Sequence, residues 1–459
     1  MAEVFCNIDN TGTQDGTSFA TGFTDIRAAF TGATVGDTVY IGSGSTAYVI
    51  TGSNVYASNS DLGISTSTPT VHKPFKCIGI SGGDTGSVPM GDDRPLILCN
   101  RTNGTSVFFP QGSEIENLRF DGEMYTGNNN TTSHLQADKC TLRNVEVKVR
   151  DRTDGTMIGD RAMGLSTSAA TNLIGCSLIS DLSASSFPTR DAGYESVFTI
   201  YESNVYDCVF HSKGNAPILS FNRVRASYGN GGQYHNCIFI GSGNETLYTP
   251  TGTCHTQSMT AMLAKGCIFY NLSSAVKLNH VPVSTTSSYN TELELQNKID
   301  TLRIHECIFI NCNIGAETPS YSDPTGWESG LFTMEHVFRL HKCAFYNNTV
   351  SNTSGDLSNI LPIQLSADPF VDSANYDFRL NDNPNGGGKL KKNDIEFAAN
   401  SKIQGRLYGA SVLFRGQYDF SSSSSNRLSL GTGDVGDIVT VDQNRFQLVQ
   451  ENPRVWRNI

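Results

Sequence analysis

One five-residue phrase recurs between about residues 115 and 347, and it constrains the fold more than any other feature. It reads ENLRF (Glu116–Phe120), RNVEV (Arg143–Val147), IGCSL (Ile174–Leu178), YDCVF (Tyr206–Phe210), HNCIF (His235–Phe239), KGCIF (Lys265–Phe269), HECIF (His305–Phe309) and HKCAF (His341–Phe345). The central residues Leu118, Val145, Cys176, Cys208, Cys237, Cys267, Cys307 and Cys343 are 27, 31, 32, 29, 30, 40 and 36 residues apart. Steps of this size mark a repeat protein whose units pack on their neighbours.

The chemistry of the phrase identifies the unit. The central residue and the residue two later are apolar, the alternation of a strand with one buried face. Another apolar residue stands three before the centre: Ile115, Leu142, Leu173, Val205, Tyr234, Ala264, Ile304 and Leu340. Just before the centre come Asn117, Asn144, Gly175, Asp207, Asn236 and Gly266, then Glu306 and Lys342. Asn, Asp and Gly tolerate a left-handed backbone, so a tight bend between two short strands is predicted there. Four after the centre, Gly122, Ser180, Ser212, Gly241, Asn271, Asn311 and Asn347 are expected to close the second strand with another turn. Strand, bend, strand, turn and a loop of variable length describe one coil of a parallel β-helix, stacked ~4.8 Å from the next. The polar insertions at 121–139, 242–262, 278–302, 313–333 and 349–364 are expected to crowd onto one face. Tyr321 and Trp327 in one of them suit a sugar platform, a subunit contact or a simple anchor.

Six of the 12 cysteines fall on the central position. A column of reduced, buried thiols explains them better than disulfides, because free Cys packs as a small hydrophobe. The net charge of −11 argues against nucleic-acid and anionic-membrane partners. No apolar run approaches the ~20 residues of a membrane span, and MAEVFCNIDN has no basic region followed by an apolar core, so no secretory signal is expected.

Residues 1–45 read as an N-terminal cap and first coil, 46–388 as the solenoid, and 389–459 as a small β module for attachment or oligomerisation. In the cap, Val4–Ile8 is a candidate strand. Thr24–Phe30 is a candidate helix, with Thr24 as N-cap and Gly32 beyond its end; Ile26, Ala29 and Phe30 would cover the open lumen. Gly36–Gly44 would supply the first strand proper. The segments AYVITG, FKCIGISGG, RPLILCN and TSVFFPQG read as less regular early coils. Near the C-terminus, SVLFRGQYDF reads as a strand. GDIVTV and RFQLVQ form a predicted hairpin around Asp442-Gln443-Asn444, followed by an apolar tail with Trp456 and Ile459.

The run DGTSFATGFTDIRAAF…VGDTVYIGSG resembles the start of many right-handed parallel β-helix proteins of the pectate-lyase-like class. ADPFVDSANYDFRLNDNP (Ala367–Pro384) resembles their final coil, so the likeness spans about residues 8 to 390. It implies an all-β, right-handed parallel β-helix solenoid with a capping helix and a small C-terminal module. The class includes lyases, hydrolases, adhesins and viral spikes, so the likeness does not fix an activity.

The titratable residues are weighed against that background. Lys213, Arg223 and Arg225 in FHSKGNAPILSFNRVR faintly resemble the basic residues of alginate- and chondroitin-type lyases, but the rest of that pattern is missing. Arg150-Asp151-Arg152, Asp154, Asp160-Arg161 and Arg190-Asp191 form mixed-sign patches that suit self-paired loops or an acidic-glycan groove. His235, His305 and His341 share one offset in the phrase, with Lys265 between them, which favours a partly exposed turn ladder over a metal column. No catalytic, cofactor-binding or metal-binding residue is assigned, and no cofactor is implied. The expected role is a non-catalytic virion surface protein of a bacteriophage, a head decoration or spike-like subunit assembled in the host cytoplasm. Its expected partners are other virion proteins, further copies of itself (a trimer by analogy) and a surface glycan. The alternative is a polysaccharide depolymerase, a lyase or glycoside hydrolase with a groove along the coils.

Overall fold

A computed structural model of the chain describes residues 2–50 and most of 75–99. From 107 to 391 it describes the strands and turns, with the main gaps at 124–134, 152–164, 183–197, 221–232, 250–262, 279–301 and 318–337. Beyond residue 391 it describes the strands within 438–458. Parallel strands from Glu3 to Gln364 form the three faces of a parallel β-helix. The first face is a 12-stranded sheet and the second an 11-stranded sheet. The third face is split into two 5-stranded sheets, Val55–Ile200 and Ile218–Ser354.

The bend residues behave as their chemistry requires. Asn117, Asn144, Gly175, Asp207, Asn236, Gly266, Glu306 and Lys342 all have φ between 50° and 66°. Each lies between a strand of the first sheet and one of the second, turning the chain without breaking the inward alternation. The second predicted turn holds only for the later coils. Asn271, Asn311 and Asn347 have φ of 51–55°, whereas Gly122, Ser180 and Ser212 lie within strands of the second sheet.

The lumen is filled by columns of like residues. Phe210, Phe239, Phe269, Phe309 and Phe345 stack with successive centroids 4.7, 4.8, 4.8 and 5.2 Å apart. Beside them the central cysteines are free and buried. Cys237 Sγ donates to the carbonyls of His235 and Val205 at 3.4 and 3.5 Å, and burial pushes the Cys343 thiol up to about 12.

Each coil has a third strand in stretches the sequence presented as loop. The long insertions also do not keep one place in the chain order relative to that strand. Up to Phe198–Ile200 the long stretches (124–134, 152–164, 183–197) precede the third-face strand. From Ile218–Ser220 onward they follow it (221–232, 250–262, 279–301, 318–337). The crossover at Phe198–Ile218 is where the third face divides, because the strands on either side of it are not paired.

Helix α1, Ile26–Gly32, caps the first coil with buried Ile26, Ala29 and Phe30. Its N-cap is Asp25, not Thr24: Asp25 Oδ1 accepts from the Arg27 amide at 2.8 Å, while Thr24 bonds to Gln14. Gly32 is the last helical residue rather than the residue beyond. Glu3–Cys6 is the first strand of the first sheet, and Thr38–Gly42 pairs with it as the second.

The segment ADPFVDSANYDFRLNDNP is not a coil. Phe370–Asp372 pairs antiparallel with Asp377–Leu380, and a short helix, α2, follows at Gly387–Lys391. This strap buries Leu365, Phe370, Phe378, Leu380 and Leu390 against the outward side of the second sheet, over Val209, Ile238, Ile240, Ile268, Tyr270, Ile308, Ile310 and Ala344. The phrase Cys-Ile-Phe is thus apolar on both faces of its strand, where the sequence reading assumed one. In earlier coils the outward residues are Arg119, Asp121, Glu146, Lys148 and Arg150, which are polar where the later coils are apolar. Gly387 is needed for the fit, since a Cβ there would lie 2.4 Å from the Asn381 carbonyl and 2.5 Å from that of Pro369.

Ile438–Val441 and Asn444–Glu451 form the predicted hairpin. The tail adds Arg454–Asn458 as a third antiparallel strand. SVLFRGQYDF lies outside the described residues.

Candidate functional site

The outward face of the first sheet carries the most patterned exposed chemistry among the described residues. Parallel register places Tyr206, His235, Lys265, His305 and His341 in one column on consecutive coils. The histidines therefore sit on strands, not on a turn ladder. Tyr206 is 37% exposed and stacks on His235 with centroids 5.2 Å apart and planes 17° from parallel. His305 and His341 are 5.5 Å apart and tilted by 52°. Lys265 divides the two ring pairs, and its Nζ lies 4.0 Å from Glu306 Oε2. Arg303 and Arg339 are paired in the adjacent outward column.

Partial burial holds the His305 imidazole below its ordinary value, and the charges of His341, Arg303 and Lys265 push the same way. His235 is lowered too, first by burial and then by Lys265, against an opposing push from Cys267. Both shifts favour the neutral form of the His235 and His305 rings, which stand on either side of Lys265 in the column. Flat rings stack on the apolar face of a sugar, and a cation between them attracts a carboxylate or sulfate. Tyr206 was missed in the sequence, although it occupies the same offset as the three histidines.

Several carboxylates on the strands of the first two sheets are engaged in ion pairs. Glu114 and Glu116 meet Lys76 at 3.4 and 3.0 Å. Asp121 and Glu123 meet Arg150 at 3.1 and 3.4 Å, and Asp181 meets Lys148 at 2.9 Å. Glu146 is buried and meets Arg94 at 2.7 Å and Arg119 at 3.3 Å. Arg150 thus belongs to a self-paired ladder running along the second sheet. Arg152, Asp154, Asp160, Arg161, Arg190 and Asp191 lie outside the described residues.

Lys213 is exposed and its backbone amide bonds to the Ser180 carbonyl at 2.8 Å. Arg223, Arg225, Tyr321 and Trp327 lie outside the described residues. Among the described residues no cluster of three or more metal-ligating side chains occurs, and no helix is long and apolar enough to cross a membrane.

No protein-family model and no curated protein matches the chain. Solved structures align with it as parallel β-helices at low identity. One is ORF18 of Geobacillus virus E2, 14% identical, covering 80% of this chain and 62% of its own, with a TM-score of 0.42. Pectate lyase Pel9A is 11% identical, with 96% and 94% covered and a TM-score of 0.44. Tailspike protein 3 of bacteriophage CBA120 is 11% identical, with 78% and 61% covered and a TM-score of 0.27. The chain spans less than two thirds of both phage proteins. The architecture is a parallel β-helix.

Proposed function

We propose that this chain is a non-catalytic structural protein of a bacteriophage virion surface, a head-decoration or spike-like subunit attached to other virion proteins. Phage proteins and polysaccharide enzymes both occur among the aligned structures, so the likeness does not choose between the two roles. The pairing of the strand carboxylates carries the choice. Glycoside hydrolysis needs two carboxyl groups held ~5–9.5 Å apart and able to take and give protons. On the described strands Glu114, Glu116, Asp121, Glu123 and Asp181 instead face cations across the coils and serve as cross-strand ties. In this reading the column Tyr206–His341 contacts a surface glycan without cutting it.

The test is incubation with a panel of capsular, alginate-type and pectin-type polysaccharides, with products read as new reducing or unsaturated ends. Intact polymer together with recovery of the protein in purified phage particles is the expected result. Release of oligosaccharides would establish the depolymerase alternative.

A further inference from the structure

The two ends of the solenoid are built differently. At the N-terminal end α1 lays Ile26, Ala29 and Phe30 over the lumen. At the other end the last strands of all three faces, Ser351–Ser354, Ser358–Ile360 and Ile363–Gln364, are each paired on one side only among the described residues. Around them Val350, Ile360 and Leu361 are 71%, 45% and 62% exposed. Leu361 occupies the bend of the last coil with a φ of 54°, where an apolar side chain stands in place of the polar or glycine bend residues of the earlier coils. Asn359 follows Leu340 in register, and its Oδ1 is buried with no hydrogen-bond partner.

A single exposed β edge accepts almost any extended strand. Three edges fixed around one triangular cross-section accept a partner with the same cross-section. A second copy of this chain has that shape by construction. Its N-terminal end cannot supply the match, because α1 covers the lumen there. Head-to-tail stacking into a filament is therefore blocked, while head-to-head pairing about a two-fold axis is closed and self-complementary. The terminal strands would meet antiparallel, inside the apolar rim that both copies bring.

We propose that the C-terminal end of the solenoid is a two-fold interface between two copies of this chain. The inference is independent of the virion reading. The test is sedimentation equilibrium of the full chain over a range of concentrations, beside hydrogen exchange of the terminal strands. The expected result is a dimer, with amides of 351–354, 358–360 and 363–364 protected more strongly as concentration rises. The double variant Val350→Asp, Leu361→Asp should raise the dimer dissociation constant at least tenfold while the melting of the monomer is preserved. A monomer at every concentration overturns the proposal. So does edge protection independent of concentration, the mark of a segment of the same chain lying there, and so does a trimer whose mass the double variant leaves unchanged. Should the double variant fail to fold, the concentration dependence of exchange in the unaltered chain decides alone.

Discussion

His211 and Tyr376 meet edge to face, with ring centroids 5.4 Å apart and planes at 71°. The contact joins the solenoid to the strap that lies over it, since His211 stands on the second sheet and Tyr376 in the turn of the strap hairpin. His211 is 6% exposed, and its Nδ1 has no hydrogen-bond partner. Burial lowers its pKa from 6.5 to about 4, with Lys213 pushing the same way and Asp181 opposing.

A pH dependence follows, with a definite sign. The folded state binds the imidazole proton more weakly than the unfolded chain, so this contribution is intact above about pH 6.5 and is lost as pH falls toward about 4. The loss should reach ~2–3 kcal/mol at the acid end. Denaturation midpoints between pH 7 and 4 should show the fall, and His211→Leu should flatten it. Equal slopes in both proteins would refute the assignment.

The phenylalanine column should be the most sensitive part of the lumen. Phe269 stacks on Phe239 and Phe309, with both centroid distances 4.8 Å. Phe269→Ala removes a ring from the middle of the stack and should cost ~3–5 kcal/mol. Phe269→Leu should cost markedly less. Urea unfolding of the two variants gives the comparison.

Glu146 is a second sensitive point for a different reason. Its partner Arg94 has 1% side-chain exposure, so Glu146→Gln leaves a buried guanidinium without its nearest counter-charge. The expected cost is ~3 kcal/mol. Lys148→Gln, which breaks a partly exposed pair with Asp181, should cost less than ~1 kcal/mol.

Lys342 offers a gain. It occupies the bend with a φ of 51°, where most other coils place Asn, Asp or Gly. Lys342→Asn should stabilise the protein by up to ~1 kcal/mol, because Asn tolerates the left-handed backbone better. A higher melting temperature with unchanged circular dichroism is the expected readout.

The outward column of the first sheet was only partly visible in the sequence. His235, Lys265, His305 and His341 share an offset, which placed them on one line. Tyr206 shares it too, yet its exposure depends on register and on the small strand spacing of neighbouring coils. The third strand of the coil was not legible either, and its place in the chain relative to the long insertions changes between Ile200 and Ile218.

The repeated phrase alone determined the coil. A left-handed bend residue between two alternating strands leaves few ways to continue, and the positive φ of Asn117, Asn144, Gly175, Asp207, Asn236, Gly266, Glu306 and Lys342 follows from it. Tertiary structure decided what the second apolar column was for. In Cys-Ile-Phe both faces of the strand are apolar, so alternation cannot say which points inward or what covers the other. Stacking settles the first, because Phe and Cys fill a narrow lumen in columns. The second depends on a segment distant in sequence, residues 365–391, whose apolar side chains dock on the outward isoleucines. Such contacts between remote segments leave no local period to read.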